Sequence, residues 1–188
     1  PLVVAASAAP AAADDPEVEV VLSTDFEDAS WEDVWQKSNE SVTVVEDGDG
    51  HVLQVADREA DYIGIETKLG ALELEHDVVY NISARAKLAE TVEADSLNMR
   101  FVRKPGYAWL PDGGVPVTHE WTEISTSFSL PPSVNLADLA LYVGSEALNP
   151  TSAEDPGDPY TYFIDDILIT KAVEGPVTSM ISATALQL

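Results

Sequence analysis

From residue 17 onward, apolar and polar positions alternate with period two in short runs bounded by Gly, Pro, Asn and Asp. That is the pattern of half-buried strands in antiparallel sheets, and helical periodicity is nearly absent. The clearest run is Val79 to Leu88, where Tyr80, Ile82, Ala84, Ala86 and Leu88 share one face and Asn81, Ser83, Arg85 and Lys87 the other. Leu97, Met99 and Phe101 repeat the pattern against Asn98 and Arg100. Further strands are predicted over Val18 to Ser23, Val42 to Val45, Val52 to Val55, Tyr62 to Lys68, Glu123 to Leu130, Leu139 to Ser145 and Tyr162 to Lys171. Turn signals separate them: Asp47-Gly48-Asp49-Gly50, Lys104-Pro105-Gly106, Asp112-Gly113-Gly114 and Leu130-Pro131-Pro132-Ser133. Many short strands at near-regular spacing argue for an all-β fold of two packed sheets or a barrel. The length favours a β-jelly-roll sandwich of two antiparallel sheets.

A chain of 188 residues suits one domain with a sizeable core, expected over residues 17–172. Residues 1–16 are Ala- and Pro-rich and read as a signal-peptide remnant or as a linker; the first reading makes the protein secreted and extracellular. Residues 149–159 read as an acidic surface insertion, and 173–188, which lose the alternation, as a linker to a neighbouring domain. No run approaches the roughly 20 apolar residues of a membrane span.

Charge narrows the partners. There are 34 Asp and Glu against 9 Lys and Arg, a formal net charge of -25. Such a chain repels phosphate backbones and anionic lipid, so neither nucleic acid nor a membrane surface is an expected partner. The acids are scattered, as in a solvated coat. Without cysteine there is no disulfide framework and no thiolate metal site.

The three histidines, His51, His76 and His119, are far apart, lack zinc or dyad spacing and are expected at the surface. No Gly-rich loop has the strand-to-helix context of a phosphate site. Aromatics say more, because sugar rings present apolar C–H faces that stack on Trp and Tyr. Trp31, Trp35, Tyr62, Tyr107, Trp109, Tyr142, Tyr160 and Tyr162 are candidates, with core packing as the competing role. Trp121 is expected in the core. Tyr107 and Trp109 lie among Pro and Gly, where two exposed rings without a binding role would be costly. Asp25 and Glu27 after the first strand, and Asp165-Asp166 in the last, are either solvent-facing acids or ligands of a calcium ion tying the two strands together.

Six motifs in order then carry a resemblance: Asp25-Phe26-Glu27-Asp28 with Trp35; Arg58 to Tyr62-Ile63-Gly64; Val79 to Ala84; Trp121-Thr122-Glu123-Ile124; Leu139 to Val143; and Tyr162 to Ile167. Together they resemble the carbohydrate-binding modules of families 22, 4 and 9, which accompany xylanases and related glycoside hydrolases. The resemblance implies a groove on one sheet that binds a β-glycan, xylan or β-glucan, together with a structural calcium. It places the groove at Tyr62, Tyr107, Trp109, Tyr142 and Glu146, and the calcium at Asp25, Glu27 and Asp166. Two positions depart from the family 22 pattern: Ser38 stands where that pattern often has Arg, and Gly144 where it has Glu.

The expected function is therefore that of a non-catalytic polysaccharide-binding module, monomeric and covalently linked to a catalytic domain. A small β-sandwich glycoside hydrolase is one competitor, for which no acid–base pair is recognisable. A structural or adhesive cell-surface sandwich is the other.

Overall fold

The strand pattern is realised in a computed structural model that describes residues 18–37, 42–56, 64–92, 96–110, 114–145 and 160–172. In chain order the elements are β1 (Val18–Thr24), α1 (Trp31–Val34), β2 (Trp35–Lys37), β3 (Val42–Asp47), β4 (Gly50–Val55), β5 (Ile65–Thr67), β6 (Val79–Leu88), β7 (Leu97–Lys104), β8 (Ala108–Trp109), β9 (Val115–Val117), β10 (Thr122–Ser129), β11 (Ala140–Ser145) and β12 (Tyr162–Ala172). A single 3-10 turn, Leu136–Asp138, precedes β11. Among the described residues no helix is long and apolar enough to cross a membrane.

The strands form two six-stranded antiparallel sheets. Sheet A runs β10-β6-β12-β4-β3, with β1 also on β12; sheet B runs β2-β5-β11-β7-β8, with β9 also on β7. Alternation decides what each strand gives to the layer between them. Tyr80, Ile82, Ala84, Ala86 and Leu88 of β6 meet Leu97, Met99 and Phe101 of β7 and Leu141 and Val143 of β11 in one apolar core. Trp31, Trp35 and Tyr162 are in that core, so three of the candidate aromatics serve packing. The Trp35 indole N–H donates to Thr24 Oγ1 at 3.0 Å inside it, which satisfies two buried polar groups at once.

β12 organises sheet A. Along one edge it pairs with β6; along the other it pairs first with β4, through Tyr162 to Ile164, and then with β1, through Ile167 to Ala172. Asp165 and Asp166 fall where the partner changes, and the register with β6 shifts there as in a bulge. Asp166 takes a left-handed backbone, φ 49°, as does Phe26, φ 58°, in the turn after β1.

Three sequence expectations are corrected. Trp121 is not a core residue: it is only half-buried, just before β10, with the Arg85 and Lys87 cations 5.1 and 4.7 Å from its ring. The reason is register, because Thr122 pairs with Ala86 and leaves Trp121 just past the paired strand, beside the outward side chains of β6. His119 is not a simple surface group: it is half-buried, with its ring Nδ1 buried, whereas His76 is exposed as expected, its ring Nε2 2.8 Å from the Val134 carbonyl. Finally α1, β2, β8 and β9 appear where no element was expected.

Candidate carbohydrate-binding face

Strand alternation that sends Leu141 and Val143 inward sends Ala140, Tyr142 and Gly144 out of sheet B. On β7 the outward positions are Asn98, Arg100, Val102 and Lys104. Register aligns these with the neighbouring strands. Gln36 pairs with Glu66, Glu66 with Tyr142, Tyr142 with Val102 and Val102 with Trp109. One row of side chains thus crosses five strands, about 19 Å at the usual strand spacing.

The row is polar at one end and aromatic at the other. The Gln36 side-chain amide donates to Glu66 Oε1 at 2.8 Å, and Glu66 also forms an ion pair with Lys104. Lys104 Nζ stands 5.4 Å from the Tyr142 ring and 5.7 Å from the Tyr107 ring. At the other end the Arg100 guanidinium lies 3.3 Å from the Trp109 ring centroid. Trp109 is 61% exposed and Tyr107 65%, whereas Tyr142 is only 9% exposed and forms floor. Gly144 keeps that floor open, since a Cβ there would stand 3.1 Å from Val102 Cγ2 and 3.2 Å from Tyr142 Cε2.

The β7–β8 hairpin presents Tyr107. It contains a cis Lys104–Pro105 bond, Gly106 at φ 87° and Tyr107 itself at φ 49°. A left-handed conformation at a bulky residue is costly and is kept only where the surroundings dictate it. Two rings exposed on one hairpin, beside an aromatic floor, offer stacking surface to the apolar faces of sugars, and the flanking amide, carboxylate and ammonium suit hydroxyls.

The family of carbohydrate-binding domains comprising types 4 and 9 matches residues 18–153. The chain belongs to it. This carbohydrate-binding domain is accordingly a non-catalytic binding module with a β-jelly-roll fold, as the sequence motifs implied. Its sequence matches no curated relative. Solved structures show the same fold. One is the CBM22-1 xylan-binding domain of Paenibacillus barcinonensis Xyn10C, at 16% identity and TM-score 0.61, covering 86% of this chain and 100% of that one. Another is the C-terminal family 22 carbohydrate-binding module of Clostridium thermocellum Xyn10B, at 16% identity and TM-score 0.60, covering 81% of this chain and 93% of that one. A third holds the CBM22-1 and GH10 modules of the Clostridium thermocellum xylanase with xylohexaose; at 19% identity and TM-score 0.58 it shares 81% of this chain but 28% of its own length.

In this binding domain the expected groove residues Tyr107, Trp109 and Tyr142 stand on one sheet, while Tyr62 and Glu146 lie outside the described residues. Sequence reasoning missed Gln36, Glu66, Arg100 and Lys104. Their only signal is that they take the outward positions of strands otherwise rich in aromatic and apolar residues.

The expected metal ligands are on the opposite sheet. Asp25, Glu27 and Asp166 line one cleft of about 420 Å³ together with Asp47, His51, Arg85, Trp121 and Asp165. Glu27 is held by His51, whose backbone N–H donates to Oε1 at 2.9 Å and whose ring Nδ1 lies 3.0 Å from Oε2. These hydrogen bonds keep the Glu27 carboxyl below its ordinary pKa. Arg85 bridges Asp165 Oδ2 at 3.0 Å and Asp166 Oδ2 at 2.7 Å. Asp165 is 8% exposed and its Oδ1 has no partner; burial raises its pKa. Among the described residues no three carboxylate or imidazole groups stand close enough to hold a metal together. The donors lining the cleft are oxygens, the type a hard cation takes, and one of them is buried without a partner, but as placed they do not form a coordination site.

Proposed function

We propose that the outward face of sheet B holds a β-glycan chain of the xylan or β-glucan type, in a secreted polysaccharide-degrading enzyme that carries this module as a monomeric accessory to its catalytic domain. The observation that carries the reading is the row from Gln36 to Trp109, flanked by Tyr107. It is a strip of rings and hydrogen-bonding groups long enough for several sugars, lying across the strands. Of the structural neighbours, one is named as xylan-binding and another is a CBM22-1 module joined to a GH10 module of a xylanase and complexed with xylohexaose, which supports the choice of glycan and of the linked enzyme. Tyr62 and Glu146 are proposed to complete the site by their place in the family pattern.

Affinity electrophoresis in gels containing xylan, mixed-linkage β-glucan or no polysaccharide tests the reading. The domain should be retarded by at least one β-glycan and release no reducing sugar from it. Unretarded migration in every gel would refute it.

The acidic cleft on sheet A is proposed to take a structural calcium ion. Asp25, Glu27 and Asp166 line the cleft without standing close enough to hold an ion as they are, and would draw in around it, with Asp165 Oδ1 as the donor now lacking a partner. The ion would neutralise crowded carboxylates and fasten the turn after β1 to β12, away from the glycan.

A further inference from the structure

The outward face of sheet A is divided. Around the acidic cleft Glu123 pairs with Arg85, and Arg85 with Asp165. On the rest of β10, β6, β12 and β1, past the bulge, no outward strand position among the described residues carries a charge. Ser125, Ser127 and Ser129 of β10 lie opposite Ser83, Asn81 and Val79 of β6. Leu168 and Thr170 of β12 continue the first two of these rows, and Ser23 and Val20 of β1 end them. Val18, opposite Ala172, occupies the corner. Alternation turns Glu19 and Lys171 to the other side, where they form an ion pair at 3.2 Å. The face is flat as well as neutral, because its serines are small, and Ser127 Oγ donates to Asn81 Oδ1 at 2.5 Å.

It also gathers exposed apolar side chains. Tyr107 and Trp109 belong to the glycan face, but Val18, Val20 and Val79, each more than half exposed, are all here. A single exposed valine needs no explanation, whereas three on one uncharged face of a chain with 34 acids and 9 bases do. Covering such a face removes water from no charge, so a modest apolar partner suffices. The chain's own sequence supplies one. Residues 175–188 contain no charged side chain and include Val177, Met180, Ile181, Leu186 and Leu188, whereas stretches that stay solvated are poor in such residues and rich in charge. This segment follows directly from Ala172, at the corner of the face. Residues 173–188 can span at most about 50 Å, and the face is about 14 Å across, three strand spacings from β1 to β10. The covalent link holds the segment at an effective concentration of about millimolar, so a weak contact is enough to seat it.

We propose that residues 173–188 fold back from the end of β12 and dock on this neutral face, laying apolar side chains over Val18, Val20 and Val79 and reaching β10. The segment is then a strap on sheet A. It leaves the outward face of sheet B, the proposed glycan face, uncovered.

The chain has no cysteine, so a nitroxide on Ser182→Cys of the full chain reports a single site. Amide spectra of the isotope-labelled protein are compared with the nitroxide oxidised and reduced. The amides of Val79, Asn81, Ser127 and Ser129 should lose most of their intensity in the oxidised sample and regain it on reduction, while those of Gln36 and Trp109 on sheet B keep far more of theirs. Met180→Lys with Ile181→Lys, both outside the described residues, should abolish the loss on β10. So should Val20→Lys with Val79→Lys, whose exposure spares the core. No loss on β10, losses spread evenly around Ala172 over both sheets, or losses unmoved by either pair of substitutions overturn the proposal. It also fails if the loss appears only on mixing nitroxide-bearing chains with separate isotope-labelled ones, the sign of a second copy on the face, or only with the nitroxide moved to Ser7→Cys, the sign of the amino-terminal segment.

Discussion

Gly50 is where Glu27 needs no side chain to be: a Cβ on residue 50 would stand 2.6 Å from Glu27 Oε1. Gly50→Ala should therefore expel the Glu27 carboxylate and break its contacts with His51. If calcium occupies the cleft, ion at about 100 times its dissociation constant adds roughly 2.7 kcal/mol to the native state, a shift of several degrees in Tm. Melting curves with calcium and with chelator should differ by that amount in the parent chain and by much less in Gly50→Ala. A parent chain indifferent to both would leave the cleft without its proposed ion.

Asp165 sets a pH dependence of defined sign. Burial is the main reason its folded pKa is raised, so the folded protein holds a proton that the unfolded chain has released. Stability then falls as pH rises from about 4, the ordinary Asp value, through the folded pKa. In chelator, Asp165→Asn should melt above the parent at pH 7 and together with it near pH 3. Added calcium should reverse the order at pH 7, because the variant has lost a ligand. A variant less stable than the parent at pH 7 in chelator would show that the Arg85 bond outweighs the burial.

Tyr107 and Trp109 are exposed rings whose removal takes nothing from the core. Tyr107→Ala and Trp109→Ala should each weaken β-glycan binding about tenfold, or about 1.4 kcal/mol, with Tm nearly unchanged. Retardation in polysaccharide gels and a melting curve separate binding from folding. Unaltered retardation of both variants would move the glycan off this face.

Gly144→Ala puts a methyl group against Val102 and the Tyr142 ring, at distances tighter than ordinary contact. Tyr142 is buried at 9% exposure and must tilt to make room, so stability should fall by about 1–3 kcal/mol while glycan affinity falls several-fold. Calorimetric binding together with urea denaturation checks both halves. An unaltered affinity would show that Tyr142 is scenery.

Legibility followed the number of residues that alternate. Val79 to Leu88 shows five inward positions in a row, and β6 occupies those residues end to end. β8 is two residues long and β9 three, too short for any period to show, and the helical turn at Trp31 is a single turn. The aromatics could be nominated but not sorted, because Trp35 and Trp109 differ only in which face of which strand they occupy. Arg100 and Lys104 looked like the solvated side of an ordinary strand. Only pairing across β5, β11, β7 and β8, a matter of tertiary register, shows that they share a surface with Tyr142 and Trp109.

The place of β12 between β6 on one side and β4 and β1 on the other bears on how the chain reaches this state. Val18 finds its partner at Ala172, so β1 stays unpaired until nearly all of the described chain is available. Contacts of such separation make for slow closure, on the order of milliseconds to seconds for sandwiches of this kind. During synthesis the edges of β4 and β6 stay open until the last strand inserts and bolts three others together. A nascent chain arrested before Tyr162 is thus the species most exposed to mispairing, and one that a chaperone or a neighbouring module would have to shield.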